Sequence, residues 1–380
     1  MKLTDLLTKV CFLTALQGFI FPGVLAFQIP VNADSTVKIG LLIQDNNALA
    51  ARYGAEMAIR KANETGGFRG KNFQLVIRSM EGPWGTGSKQ AVDLIFQENV
   101  CAIMGSHDGR NAHLVEQVSA KARIVFLSAW ASDPTLAQAF VPWYFSCVPN
   151  DLQQAEAFIK EIYDRRKLVR IVTISDNGYD SKLAVQSLVK KIKIAGKKEP
   201  VEFSYDIPMQ DFNEILNKIS KSGVDGIILF GKPSASLKFM NQMEKRKMKQ
   251  RVFGAISVLD EDESSMQEQE EHRNMILFVS GNWSGPKGLT FRKEYQRLYG
   301  NVPGAVAAYS FDGMSMLIEA IRKAGTDRSE IQKTLTKIRF DGVTGPIQFD
   351  DKGKRMGKVN MVEIKNGIPV DTGRKLKNEN

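Results

Sequence analysis

The chain has 380 residues, a formal net charge of +10, 43% hydrophobic side chains and 25% charged side chains. This length is sufficient for two domains of ordinary size, and the composition is that of a soluble globular protein. The positive charge is spread along the chain, and the sequence contains no zinc-finger spacing and no RNA-binding sheet motif. We therefore expect no nucleic-acid partner.

The amino terminus is typical of an export signal. Two lysines flank the start of a mostly apolar run, and Ala26 ends a plausible cleavage site. Residues 1–26 are thus predicted to be a signal peptide, which a second plausible site would extend to residue 33. Export to the periplasm permits a disulfide between Cys101 and Cys147, but both lie in predicted strands, so two buried free thiols are an equal alternative.

Short apolar runs alternate with amphipathic helical segments along most of the chain. Strands of the first series are predicted at 37–43, 73–77, 100–104, 124–127 and 143–148. A second series follows from Asp151, with strands predicted at 169–174, 201–205, 226–230, 252–255 and 275–279. Alternation of this kind indicates an α/β protein with parallel central sheets, and two series indicate two similar lobes.

Two polar loops each follow a predicted strand of the first series. One contains Asp108, Gly109 and Arg110, and the next runs from Ser128 to Pro134 and contains Trp130. Loops at the carboxyl ends of parallel strands form the ligand crevice in such sheets, although an ordinary solvent-facing connection is the alternative. Asp108 can cap the following helix, whose first N–H groups can receive an anionic group of a ligand.

Three tryptophans and one lysine are further candidates for this crevice. Trp84, Trp130 and Trp283 each lie in a loop or a lobe crossing, with core packing as the alternative for each. Lys232 follows a strand end and is either an anion partner or a solvated charge. The acidic stretch 260–271 is expected to be a solvent-exposed face.

The residues indicate no enzyme chemistry. His107 and His113 lack the spacing of metal ligands, and His272 is remote in sequence. Ser106-His107-Asp108 are contiguous and cannot form a catalytic triad by themselves. We expect no metal, no cofactor and no enzymatic activity.

Three segments carry a family resemblance: the helix and glycine turn at 58–71, the tyrosine-led helix at 309–320 and the stretch 340–350. Together they resemble type I periplasmic solute-binding proteins of ABC transporters, in the leucine/isoleucine/valine-binding branch. The resemblance covers nearly all of residues 37–367. It implies a fold of two Rossmann-like lobes that close on a ligand by hinge motion.

The resemblance also implies a domain arrangement and partners. Three crossovers between the lobes are expected near 148–151, 279–282 and 345–349. The first lobe would comprise 36–149 and 282–345, and the second 150–281 and 346–380. The expected partners are a small-molecule ligand and an ABC permease in the inner membrane, with the chain a monomer. A periplasmic ligand-sensing module that signals to a partner protein is the alternative function.

The family pattern can be transferred to several positions of this chain. Asp108 and Gly109 stand where the family usually has a serine pair, and Ala131-Ser132 fits the next loop. Tyr179 matches the aromatic residue of the second lobe. The candidate ligand-binding residues are Trp84, Asp108, Gly109, Arg110, Trp130, Ala131, Ser132, Tyr179, Lys232, Ser257 and Trp283.

One departure from the family pattern bears on the ligand. The acid that pairs with a ligand ammonium group should fall near Ile256-Ser257, where the sequence has none, and Asp260 is displaced from that place. An unpaired buried ammonium group is costly. We therefore expect a small polar or organic-acid ligand rather than a plain aliphatic α-amino acid.

Overall fold

The computed structural model describes residues 36–138, 141–209, 211–262, 275–279, 283–357, 359–365 and 368–371. The predicted signal peptide, His272 and most of the predicted second crossover lie outside these residues, and the signal peptide remains a prediction.

The first lobe is built on a five-stranded parallel sheet with strand order β2-β1-β3-β4-β5. Its elements are β1 (Thr36–Ile43), α1 (Leu49–Glu64), β2 (Asn72–Ser79), α2 (Thr86–Phe96), β3 (Ile103–Ser106), α3 (Gly109–Ala122), β4 (Phe126–Ser128) and β5 (Tyr144–Ser146). Ile39, Leu41 and Leu42 of β1 are fully buried, because helices cover both faces of a parallel sheet.

The second lobe is built on a seven-stranded sheet with strand order β14-β13-β10-β9-β8-β6-β7. Its elements begin with α4 (Asp151–Phe158), which continues as a π-helix (Ile159–Arg165), then β6 (Ile171–Asp176), α5 (Tyr179–Ile194), β7 (Val201–Tyr205), α6 (Asn213–Lys221), β8 (Gly226–Phe230), α7 (Pro233–Lys245), β9 (Arg251–Gly254) and β10 (Met275–Val279). A short 3-10 helix, Ile256–Leu259, follows β9.

The chain then returns to the first lobe and ends in the second. The remaining elements are α8 (Pro286–Tyr299), α9 (Ala305–Ala324), α10 (Arg328–Leu335), β11 (Phe340–Gly342), β12 (Gly345–Ile347), β13 (Asn360–Lys365) and β14 (Ile368–Asp371). Helix α9 packs along α1 so closely that a Cβ on Gly54 would lie 2.3 Å from the backbone oxygen of Ala307. A side chain at that position would force the two helices apart.

The predicted fold class, α/β with parallel central sheets in two lobes, is confirmed. The sequence did not predict β13 and β14, which add an antiparallel edge to the second sheet. None of the helices described here contains an apolar stretch of the length and hydropathy that crossing a membrane requires.

A buried arginine links the lobes where the chain passes between them for the last time. Before β13, the chain runs beside β5, and Gly353 accepts a hydrogen bond from the N–H of Ser146. Arg355 follows, 3% exposed, and donates to the backbone oxygens of Cys147, Thr344 and Pro346 at 2.7, 3.0 and 3.1 Å. This crossing segment is therefore fixed by hydrogen bonds rather than free.

Candidate ligand-binding cleft

Loops from both lobes enclose a small cavity of about 100 Å³. They follow β1 and β4 in the first lobe and β8 and β9 in the second. The cavity is lined by Gln44, Asp45, Ala48, Trp130, Lys232, Asp260, Asp262 and Val306. It therefore lies at the carboxyl ends of parallel strands, where ligands bind in open α/β sheets.

The lining of this cavity combines both signs of charge with one large aromatic ring. Trp130 comes from the first lobe, and Lys232 comes from the second, at the N-cap of α7. The acids Asp260 and Asp262 follow the 3-10 helix Ile256–Leu259, which turns the chain back toward the cleft. Such a lining can hold a carboxylate, a hydrogen-bond donor and an apolar body at once.

The acidic stretch was expected to be a solvent-exposed face, and this prediction is wrong for residues 260–262. All three are only partly exposed, and two of them, Glu261 and Asp262, accept backbone hydrogen bonds from helices of the first lobe. Residues 263–271 lie outside the described part of the chain. The sequence has no acid beside Ile256, but the fold supplies acids at the cavity from a few residues further on.

A second group of predicted residues meets at the start of α3. Asp108 caps this helix as predicted, accepting from the N–H of Asn111 at 2.8 Å. The N–H of Gly109, however, donates to both carboxylate oxygens of Asp180, at 3.1 and 3.2 Å. A Cβ on Gly109 would lie 2.7 Å from Asp180 Oδ1, so this close approach depends on glycine. The predicted anion position at this helix is therefore taken by a side chain of the second lobe.

Side chains next to the contact between Gly109 and Asp180 also meet across the cleft. The hydroxyl of Tyr179 donates to Asp133 Oδ2 at 3.1 Å. The Arg110 guanidinium lies over the rings of Trp84 and Tyr179, 5.6 and 5.4 Å from their centroids. The side chain of Trp84 is 70% exposed, so it covers the rim of the cleft and does not line the small cavity.

The other predicted site residues support loops or lie elsewhere. Ala131 is buried and donates its N–H to Ser128 Oγ, while the backbone oxygen of Ser132 accepts from the N–H of Asp151. Ser257 lies half-buried on the 3-10 helix, apart from the residues that line the cavity. Trp283 is 2% exposed in the hydrophobic core, so a ligand in this closed form does not reach it.

Cys101 and Cys147 are free thiols in the structure. Both are buried, and burial raises the pKa of the Cys101 and Cys147 thiols to about 12. A thiol with such a pKa is protonated at neutral pH and is a poor nucleophile. Their structural context therefore gives neither cysteine a chemical role in the cleft.

The sequence interpretation did not identify the acids that cross the cleft. Asp133 lies in a loop and Asp180 in the first turn of α5, and only their aromatic and small neighbours were predicted to bind the ligand. The available signal was position, because Asp180 follows β6 closely and Asp133 follows β4. Position after a strand of a parallel sheet therefore points to acids as well as to aromatic residues.

The His113 imidazole donates hydrogen bonds to the carboxylates of Asp133 and Glu116, and these contacts, chiefly the one with Asp133, raise the pKa of His113 to about 9. We predict that the His113 imidazole titrates near pH 9 in an NMR titration and that Asp133→Asn moves this midpoint toward about 6.5, the ordinary histidine value. His107 is the internal control, because burial lowers its pKa and keeps it neutral. A midpoint for His113 that Asp133→Asn leaves unchanged would contradict the assigned contact.

Comparison with known proteins identifies the family. The profile of the family described as "Periplasmic binding protein" matches residues 36–368. The chain belongs to the periplasmic binding protein family. This family agrees with the resemblance carried by residues 58–71, 309–320 and 340–350.

Named relatives of this periplasmic binding protein are similar over most of its length. A "Leu/Ile/Val-binding protein homolog 1" of Brucella suis is 24% identical, with 90% of this chain and 92% of the relative covered. A "leucine-, isoleucine-, valine-, threonine-, and alanine-binding protein" of Pseudomonas aeruginosa is 21% identical, with 84% of this chain and 87% of the relative covered.

Solved structures share the fold. The branched-chain amino acid transporter substrate-binding protein LivJ of Streptococcus pneumoniae, in complex with isoleucine, has a TM-score of 0.77 at 20% identity, covering 88% of this chain and 99% of its own. A solute-binding protein of an ABC transporter from R. palustris, in complex with benzoate, has a TM-score of 0.77 at 17% identity, covering 89% and 96%.

Proposed function

We propose that this chain is an exported solute-binding protein that captures a small polar ligand bearing a carboxylate and delivers it to an ABC permease in the inner membrane. The observation that carries the proposal is the cavity enclosed by loops of both lobes. A ligand held by both lobes stabilises the closed form, and a permease can distinguish that form from the open one. The protein binds its ligand and releases it unchanged.

The lining suggests how the ligand is oriented. Lys232 is placed to pair with the carboxylate, and Asp260 to accept from an ammonium or another donor. Trp130 offers a flat apolar face to the remainder of the molecule. The closed cavity is smaller than an ordinary ligand pocket of about 300 Å³ or more, so we propose a ligand of few heavy atoms.

Plain aliphatic amino acids were expected not to bind because no acid was evident near Ile256. That expectation loses its physical basis, since Asp260 and Asp262 line the cavity. An amino acid would find a partner for each of its two charges. An organic acid without an amino group would bring no donor to this acidic part of the lining, and a site that hydrogen-bonds a charged group discriminates strongly against a ligand that lacks it.

Isothermal titration calorimetry with leucine, isoleucine, valine and benzoate tests this proposal. We expect at least one amino acid to bind with a micromolar or lower Kd, and benzoate to bind at least about tenfold more weakly because it lacks an ammonium group. Lys232→Met should weaken amino-acid binding, and Lys182→Met, on the exposed side of α5, serves as the matched control. Tight binding of benzoate alone would show that the ligand is an organic acid rather than an amino acid. No binding by any of the four compounds would refute the proposed ligand class.

A further inference from the structure

The chain segments that lead into the strands of the second sheet meet at one end of the second lobe. Strands β9, β8, β6 and β7 are neighbours in this sheet and run parallel to one another. The segments before them therefore reach the sheet at the same edge. We call this end the base of the second lobe, and it is formed by residues 164–170, 193–201, 221–225 and 244–251. The cleft lies at the carboxyl ends of the same strands, on the opposite side of the lobe.

Positive charge is concentrated at the base. Its four segments contain 13 lysines and arginines but four acids, in a chain whose whole net charge is +10. The cations are Arg165, Arg166, Lys167, Arg170, Lys193, Lys197, Lys198, Lys221, Lys245, Arg246, Lys247, Lys249 and Arg251. The charge that is spread along the sequence is thus gathered at one end of a lobe by the fold.

Acids neutralise part of this charge. Glu161 accepts from Arg165 at 2.9 Å and from Arg166 at 2.6 Å, and Asp225 pairs with Arg170 at 3.0 Å. Six other cations of the base are exposed and form no ion pair within the part of the chain that the structure describes: Lys198, Lys221, Lys245, Lys247, Lys249 and Arg251. Like charges held together repel one another, and an anionic surface placed against them relieves that repulsion.

Apolar side chains are exposed among these cations. Ile194 at the end of α5 is 73% exposed, Val201 at the start of β7 is 59% exposed and Val169, just before β6, is 51% exposed. Strands β6 and β7 are paired, so their starts lie side by side. Binding to a membrane surface combines buried apolar area with attraction between basic side chains and anionic lipids. The base offers both kinds of side chain.

We propose that the base of the second lobe docks on an anionic phospholipid bilayer. The cations face the lipid phosphates, and Val169, Ile194 and Val201 enter the headgroup layer. The cations come from four separate segments rather than from one groove, which suits an extended charged surface. The cleft at the opposite end of the lobe then faces the solvent, so a ligand can enter while the protein rests on the membrane. The inference goes beyond the proposed function, because it concerns a face that ligand binding does not use.

Co-sedimentation of the purified protein with large unilamellar vesicles tests this proposal. We expect binding to vesicles made of equal parts of phosphatidylglycerol and phosphatidylcholine at about 0.1 M salt. The protein should be released at about 1 M salt, where the Debye length falls to about 3 Å. Vesicles of phosphatidylcholine alone should bind it at least about tenfold more weakly, because their surface has no net charge.

A charge variant locates the contact. It replaces four unpaired cations of one segment: Lys245→Gln, Lys247→Gln, Lys249→Gln and Arg251→Gln. Each basic side chain near an anionic surface strengthens binding about fivefold, so this variant should bind anionic vesicles about 100-fold more weakly or less. The matched control removes the same charge from exposed side chains of the first lobe: Lys121→Gln, Lys293→Gln, Arg297→Gln and Lys337→Gln. It should bind within about fivefold of the wild type, because charges beyond a Debye length from the surface are screened.

An apolar variant distinguishes a bilayer from an acidic protein as the partner. Ile194→Ser/Val201→Ser should bind anionic vesicles about tenfold more weakly, because less apolar surface enters the headgroup layer. Circular dichroism checks that each variant is folded. The proposal is overturned if the wild type does not bind anionic vesicles, or if the charge variant binds them as tightly as the matched control. It is also overturned if the apolar variant binds them like the wild type, since the base then contacts anionic groups without entering a bilayer, as it would on an acidic protein.

Discussion

Replacing Arg355 with methionine is expected to lower the free energy of unfolding by about 3–5 kcal/mol. The guanidinium is almost fully buried and donates to three backbone oxygens and to the hydroxyl of Thr344. Methionine is long enough to fill part of the space, but it offers no donor. Buried acceptors that lose their donors lower the free energy of unfolding. The acceptors of Arg355 lie where the chain crosses between the lobes.

A buried carboxylate beside this arginine adds to the effect. Asp312 accepts from the N–H groups of Val343 and Thr344, each at 2.7 Å, and from the hydroxyl of Thr344 at 2.6 Å. Burial raises the pKa of Asp312, while these hydrogen bonds and the Arg355 charge oppose that rise. Removing the arginine takes away the positive charge near a buried negative one, and breaking such an arrangement from one side is strongly destabilising.

Urea unfolding at pH 7 measures this loss. The matched control is Lys354→Met, which removes a positive charge one residue earlier, from a side chain paired with Asp350 at the surface. A surface substitution of this kind should change the free energy of unfolding by about 0.5 kcal/mol or less. If Arg355→Met is no more destabilising than Lys354→Met, the buried network does not hold the crossing segment.

The sequence predicts most of this fold because parallel sheets carry a strong signal. The run Val37–Ile43 is almost entirely apolar, as a strand covered on both faces must be, and it was predicted within one residue of β1. Helix α3 begins at a capping aspartate and ends at Ala122, as predicted. The hairpin β13–β14 was not predicted, because short antiparallel edge strands mix polar and apolar residues without a clear period.

The site is predicted less completely, for a different physical reason. Trp130 and Lys232 could be found because each follows a strand, and the topology alone carries both to the cleft. The roles of Asp180 and Glu261 depend on which helix starts face them in the closed form. Asp180 is 71 positions from Gly109 in sequence, and Glu261 is 43 positions from Gly304. Contacts between residues this far apart leave no local periodicity in the sequence. Ala48, which cannot cap α1 with its side chain, indicates that an acceptor from elsewhere in the chain is needed. It does not indicate which residue supplies that acceptor.

Trp130→Ala is expected to weaken ligand binding by about 30-fold or more, equivalent to about 2 kcal/mol. Trp130 is the one aromatic side chain among the residues that line the cavity, and it comes from the lobe that presents the helix starts of α1 and α3. Alanine would leave the apolar part of the ligand facing a void instead of an indole face. Calorimetry with the amino acid that binds most tightly to the wild type measures the loss.

Trp84→Ala is the control for this prediction, because Trp84 stacks on Arg110 at the exposed rim and does not line the cavity. It should bind within about threefold of the wild type, since an exposed ring outside the contact contributes little. Trp130→Phe retains an aromatic face and should fall between the wild type and Trp130→Ala, while reducing any ligand-induced change in tryptophan emission. Suppose that both variants fold normally, that Trp130→Ala binds the ligand like the wild type and that Trp84→Ala binds it more weakly. The ligand then lies under the rim formed by Trp84, Arg110 and Tyr179 rather than in the cavity.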